Sequence, residues 1–167
     1  MNEIRIRPAR PADAPAIQSV ARDSWSDVYQ DVISIEAQRR ALEHWYSTNA
    51  LIASIQSATS IFVVAETSRE LLGFAQLNQL PDGSADLARI YVLPPNQRHG
   101  VGAALLRAVF DSARNNRVSR ITVSVAKQNK RARSFYERSG FSLCGEGSVD
   151  LFGFSLQEVM YEQPVER

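Results

Sequence analysis

Apolar residues recur along this chain with two periods, one near four residues and one of two, and the switches between them lay out its elements. Ile4 and Ile6 share one side of a short first strand that runs into Pro8, Pro11 and Asp13, a cluster of turn-forming and capping residues. Ile17, Val20, Ala21, Trp25 and Val28 then fall on one helical face. A second helix from Ser34 carries Leu42, Trp45 and Tyr46 towards Asn49, with Glu36 in the first turn, where the helix dipole favours a negative charge. Extended runs follow over 61–65, 71–80 and 86–93, separated by the turns Ser68-Arg69-Glu70 and Pro81-Asp82-Gly83-Ser84, so three consecutive strands make an antiparallel meander. Pro94 and Pro95 cannot extend a ladder and close it.

Helical spacing returns over 100–114 with Val101, Ala104, Leu105, Ala108 and Val109, and Asn115 and Asn116 end it. Residues 121–125 read as a half-buried strand, Asn129 caps a helix that stops at Gly140, and 141–147 and 152–161 are closing strands. The order β-α-α-β-β-β-α-β-α-β-β predicts one α/β domain over residues 1–167, a mixed sheet with helices on its faces.

Composition narrows the function more than the fold. Of 167 residues 44% are hydrophobic and 22% charged, the balance of a globular domain. The 19 basic and 18 acidic side chains leave a net charge of +1, so no global field recruits nucleic acid or an anionic membrane. No apolar run reaches the length of a membrane span, and Met1-Asn2-Glu3-Ile4-Arg5-Ile6-Arg7 reads as neither signal nor transit peptide. Cys144, the single cysteine, has no internal partner and lies in an apolar stretch where burial is expected. A reducing, cytoplasmic location follows as the expectation, and no metal is expected.

Chemistry first appears at Gln97-Arg98-His99-Gly100-Val101-Gly102, which follows a strand and opens a helix. Backbone N–H groups there lack intrahelical acceptors, Gly100 and Gly102 let a phosphate approach the backbone, and Arg98 and His99 add donors. A tight turn that packs the helix closely on the sheet is the plainer reading of two glycines. The loop lacks both the Gly-Lys-Ser/Thr ending of a nucleoside-triphosphate loop and the third glycine of a dinucleotide fingerprint, so ATP and NAD are not indicated.

The stretch Leu87-Ala88-Arg89-Ile90-Tyr91-Val92-Leu93-Pro94, followed by Gln97-Arg98-His99-Gly100-Val101-Gly102-Ala103-Ala104-Leu105-Leu106, resembles the acetyl-coenzyme A-binding core of the GNAT superfamily of N-acetyltransferases, with its Gln/Arg-x-x-Gly-x-Gly/Ala pattern. A second block, Asn129-Lys130-Arg131-Ala132-Arg133-Ser134-Phe135-Tyr136-Glu137-Arg138-Ser139-Gly140-Phe141, is similar to the family's Asn-x-x-Ala-x-x-Phe-Tyr-x-x-x-Gly-Phe helix. The resemblance implies a mostly antiparallel sheet splayed in the middle, between the strands at 86–93 and 120–125, with helices on both faces. It implies acetyl-CoA as co-substrate, its pyrophosphate over 97–102 with Ala103 beside it, and its pantetheine arm paired with the backbone of Val92 and Leu93 next to Tyr91. Asn129, Ala132, Ser134 and Tyr136 would meet that arm from the other side. Tyr136 matches the family tyrosine that protonates the departing thiolate, a role suited to a phenol whose ordinary pKa is about 10. In a plainer reading Ala132, Phe135, Tyr136 and Ser139 are one packing stripe.

The proton acceptor is open between Asp86, Glu66, His44 and ordered water. Trp25, Tyr29, His44, Trp45 and Tyr46 are candidate walls for the acceptor, by apolar and cation–π contact, although aromatic residues at helical spacing are more often core. Lys127, Lys130, Arg131 and Arg133 form a basic cluster, either a solvated helix face or neighbours of the coenzyme's phosphates. A small-molecule or protein amine is the expected partner, a homodimer is a family-level expectation, and a non-catalytic acyl-CoA binding domain is the alternative function.

Overall fold

The computed structural model describes residues 3–167, so the first two residues of the N-terminal reading lie outside the described residues. β1 (Arg5–Pro8) enters α1 (Ala14–Tyr29) through a single 3-10 turn, and α1 buries Ile17, Val20, Ala21, Ser24 and Trp25. The helix expected from Ser34 to Asn49 is two helices, α2 (Ile35–Trp45) and α3 (Thr48–Gln56). Tyr46 leaves the helical region, and the Ser47 hydroxyl accepts the Ala50 N–H at 3.2 Å, so the serine that looked like helix interior is a cap. Leu51 anchors α3 in the core.

The meander follows as expected: β2 (Ser60–Glu66), β3 (Leu71–Gln79) and β4 (Ala85–Val92) pair antiparallel in sequence. α4 (Val101–Asn115) crosses over to β5 (Arg120–Ala126), α5 (Lys130–Arg138) follows, and β6 (Ser142–Leu151) and β7 (Phe154–Pro164) close the chain as a hairpin. One 7-stranded sheet results, ordered β1-β2-β3-β4-β5-β7-β6, in which only β4 and β5 run parallel.

Each face of the sheet has its own core. Leu105, Leu106, Val109 and Ala113 of α4 pack with Val123, Val125, Tyr136 and Phe141 on one side. Ala14, Ile17, Ala21 and Trp25 of α1 pack with Ala37, Ala41 and Leu51 of α2 and α3 and with Phe62, Val64 and Phe74 of the sheet on the other. Cys144 departs from expectation: it is exposed. β6 is an edge strand open on both faces, and its pairing with β7 is irregular between Leu143 and Gly145, so the apolar run around Cys144 has nothing to bury against.

Two local features hold β4 where function needs it. Gly73 on β3 faces Val92, and a Cβ there would lie 2.7 Å from the Tyr91 carbonyl oxygen and 3.2 Å from Leu105 Cδ1. Backbone cannot yield as a flexible side chain can, so Gly73→Ala is expected to cost about 1–3 kcal/mol by overpacking, readable as a lower urea midpoint. Further down, the β3–β4 register slips between Gln76 and Leu77, leaving Ala88 without a partner. Such a bulge bends and twists its strand. It sits two residues beyond Asp86, the last residue of β4 that pairs with β5.

Candidate active site

β4 and β5 meet at only two register pairs, Ala85↔Ile121 and Asp86↔Thr122, and then part. β5 continues along β7 for the rest of its length and β4 along β3, so the interior of the sheet opens into a V. A cavity of about 70 Å³ lies in it, lined by Leu87, Ala88, Arg89, Ile90 and Tyr91 on one arm and by Val123, Ser124 and Val125 on the other. Asn129, Ala132 and Tyr136 of the second motif complete the wall, with Tyr29 of α1 opposite. The sequence blocks are thus brought together around one opening.

Strand alternation decides which backbone groups face that opening. Leu93 N–H donates to the Leu72 carbonyl at 2.8 Å, and the Leu93 carbonyl accepts from Asn96 N–H at 2.8 Å, so both groups are engaged within the chain. Val92, one residue earlier, turns its N–H and carbonyl towards the gap. That carbonyl accepts from the Gln97 amide at 3.1 Å and from the buried Ser24 hydroxyl at 3.4 Å.

After β4 the chain makes a 3-10 turn over Pro94–Asn96 and enters α4 through Arg98 at φ 64° and Gly100 at φ 82°. Ala104 N–H is the first to find an acceptor, the Gly100 carbonyl at 3.0 Å, and the amides of 98–103 find none among the described residues. Arg98, His99, Gly100 and Ala103 are exposed, and the space a Cβ on Gly100 would take is open. A Cβ on Gly102 would meet the Phe135 ring at an ordinary 3.5 Å, so Gly102 is not demanded by packing. A run of free N–H groups at a helix N-terminus suits a pyrophosphate, and a narrow gap flanked by a strand whose inward backbone groups have no strand partner suits an extended amide-bearing arm. These features fit the coenzyme.

Asn129 caps α5, its Oδ1 accepting the Ala132 N–H at 3.1 Å, which fixes the turn that aims Tyr136 inward. Tyr136 is 5% exposed, wedged edge-on between Phe135 and Phe141 at 5.3 and 5.4 Å between centroids. Its hydroxyl makes no hydrogen bond within the described residues, although its neighbour Tyr161 is fixed by Glu137 at 2.7 Å and Arg133 at 3.2 Å. Burial first, then coupling to the neighbouring Tyr29 phenol and to the Asp86 carboxylate, push the Tyr136 phenol well above its ordinary range, so it keeps its proton. Ser134, on the same helix, is exposed.

Among the candidate bases the fold separates the choices. Glu66 is bound into an ion-pair network with Arg7 at the β1–β2 edge, and His44 is exposed at the end of α2. Asp86 stands at the apex of the V, and burial raises its carboxyl above the usual range. A second carboxyl, unmarked in the sequence, joins it: Glu158 of β7, opposite Ala126, is raised by burial and then by the charge of Asp86. Neither carboxylate has a hydrogen-bonding or ion-pair partner among the described residues.

The aromatic residues divide in two. Trp25 and Tyr46 are buried and pack edge to face at 5.9 Å, while Tyr29 stacks edge-on to Trp25 at 4.7 Å and its hydroxyl lies 3.1 Å from that of Tyr91. Burial pushes the Tyr29 phenol up to about 12. Trp45 and His44 lie outside, joined by Phe152 from the β6–β7 turn at 5.6 and 5.8 Å. Arg89 ties the groups together, its guanidinium 4.5 Å over the Tyr46 ring and bonded to the Trp45 carbonyl at 3.0 Å. Phe152 was not foreseen, because it reaches α2 from a turn distant in sequence. Among the described residues no group of three or more His, Cys, Asp or Glu side chains is placed to hold a metal, and no helix is long and apolar enough to cross a membrane.

Comparison with known proteins identifies the family. An uncharacterized N-acetyltransferase of Bacillus subtilis is 28% identical over 144 residues, 83% of this chain and 89% of that protein. A spermidine N(1)-acetyltransferase of Thermoplasma acidophilum is 27% identical over 144 residues, covering 84% of this chain and 89% of its own length. The crystal structure of the PaiA N-acetyltransferase of Thermoplasma acidophilum, in complex with coenzyme A, superposes with a TM-score of 0.86 at 24% identity, over 97% of this chain and 99% of that one. The family model described as acetyltransferase (GNAT) family matches residues 17–141. The chain belongs to the GNAT family and is an acetyl-CoA-dependent N-acetyltransferase.

Proposed function

We propose that the protein moves the acetyl group of acetyl-CoA directly onto an amine held on the α1–α2 side of the V, with Tyr136 as general acid and Asp86 as general base. The observation that carries this is a buried, protonated phenol lining the same opening at whose apex a carboxylate stands, neither with a hydrogen-bonding partner among the described residues. Val92 and the amides of 98–103 hold and orient the donor. Asp86 takes a proton from the incoming ammonium, directly or through water, which leaves a nitrogen lone pair free to attack the thioester carbon. Tyr136 gives its proton to the sulfur as the C–S bond breaks, and the remaining proton lost by the new amide nitrogen restores the phenol. The order matters electrostatically: the Asp86 charge holds the Tyr136 proton, so neutralising Asp86 makes Tyr136 the better donor at the step that needs it.

Release of free thiol from acetyl-CoA with a panel of primary amines tests the reading; no release with any amine, despite coenzyme binding, favours a binding domain. The scaffold does not name the acceptor. Asp86→Asn is expected to lower kcat about 10²-fold and abolish the acidic limb of the pH–rate profile. The same variant should melt higher at neutral pH. A carboxyl whose folded pKa is raised destabilises the fold above that pKa, where it is charged, and the gain should disappear below the ordinary carboxylate range.

A further inference from the structure

The mouth of the V is crossed by a chain of side chains. Gln97, in the loop after β4, donates its amide to the Val92 carbonyl at 3.1 Å. Its own Oε1 accepts from Arg131 Nη1 at 2.6 Å, and the same Nη1 lies 3.3 Å from Asp27 Oδ2. Arg131 stands in the first turn of α5 on the β5 side of the gap, while Asp27 belongs to α1 and Gln97 to the β4 side. The link therefore joins both arms of the sheet to a helix of the opposite layer.

We propose that Gln97, Arg131 and Asp27 form a displaceable strap over the coenzyme entrance, in which the Gln97 amide stands in for an amide of the coenzyme arm at the Val92 carbonyl. The proposal rests on the coenzyme reading of the same cleft. Two features suit a part that must open. Arg131 and Asp27 side chains are 58% and 39% exposed, so their pair contributes little to stability and exchanges readily with water. The opened state also gains an alternative partner, because the Arg131 guanidinium is held at Gln97, in the loop that leads into α4, and can exchange a neutral amide oxygen for a phosphate oxygen, the stronger acceptor. Gln97, assigned from its motif to the phosphate seat, is on this reading a competitor of the coenzyme.

A binding-competent state populated only in part weakens apparent affinity by that fraction, so loosening the strap should quicken binding. Stopped-flow mixing with coenzyme A, followed by intrinsic tryptophan fluorescence and by calorimetry of the same variants, reads this. Asp27→Asn and Gln97→Ala are each expected to raise the association rate constant about two- to fivefold, the span of an exposed pair, with a smaller change in dissociation. Gln97→Ala binding more slowly or more weakly would make Gln97 a direct coenzyme ligand and overturn the strap. An unchanged association rate in Asp27→Asn would overturn it as well. Wild-type protein that binds no coenzyme A in the calorimeter would sink the reading of the cleft itself, a result separable from either of these.

Discussion

Tyr136→Phe is expected to lower kcat about 10²- to 10³-fold while coenzyme A affinity stays within about twofold of wild type. The change removes one oxygen from a ring held by Phe135 and Phe141, so the aromatic packing that seats α5 survives. The hydroxyl has no partner within the described residues, and its loss leaves no buried group unsatisfied. Stability should therefore hold or rise slightly, which sets this variant apart from one that fails by unfolding. Because burial and the neighbouring charges raise the phenol, wild-type activity should show no alkaline loss from Tyr136 ionisation near neutral pH. Unchanged turnover in Tyr136→Phe would remove the general acid from the mechanism while leaving the coenzyme seat intact.

Arg7→Met is expected to destabilise the fold by on the order of 2 kcal/mol, a fall of roughly 4–8 °C in Tm, without touching the cleft. The Arg7 guanidinium bonds both oxygens of Asp13 at 2.8 and 2.9 Å and both oxygens of Glu66 at 2.9 Å. All three side chains are largely enclosed, at 12%, 14% and 24% exposure, so removing the cation strands two carboxylates where water reaches them poorly. Methionine keeps the apolar stem and isolates the charge. The hydrogen bonds from Arg7 hold both carboxyls below their ordinary values, with the backbone N–H of Arg10 also acting on Asp13. A carboxyl lowered in the folded state contributes stability that is complete above its unfolded pKa and is lost as pH falls through the folded one. Wild-type stability should accordingly drop on acidification below about pH 4, and Arg7→Met should flatten that dependence in melts taken across the range.

The readability of the sequence followed the range of the forces involved. The meander and α4 were legible because period-two runs, turn residues and a helical stripe are local patterns that burial then reinforces. The break at Ser47 was missed because serine, threonine and asparagine serve equally on a solvated helix face and at a cap, and only the turn of the chain at Tyr46 decides between them. Glu158 carries no local signal at all: its place beside the V follows from pairing β7 along β5, and a one-residue slip would send it to the other face. The parting of β4 from β5 was expected only through family resemblance. Its local correlate, the unpaired Ala88, is a register event between two strands and is invisible in either one alone.

That parting gives the domain an edge on the inside. A strand with unspent N–H and carbonyl groups is ordinarily a hazard at the rim of a sheet, where any extended chain can add to it. Here the rung at Val92 lies inside the domain, between two arms and two helical layers, and its carbonyl already accepts from the Gln97 amide and the Ser24 hydroxyl. An edge of that kind is shielded from strand addition by its place in the fold and by its own side chains.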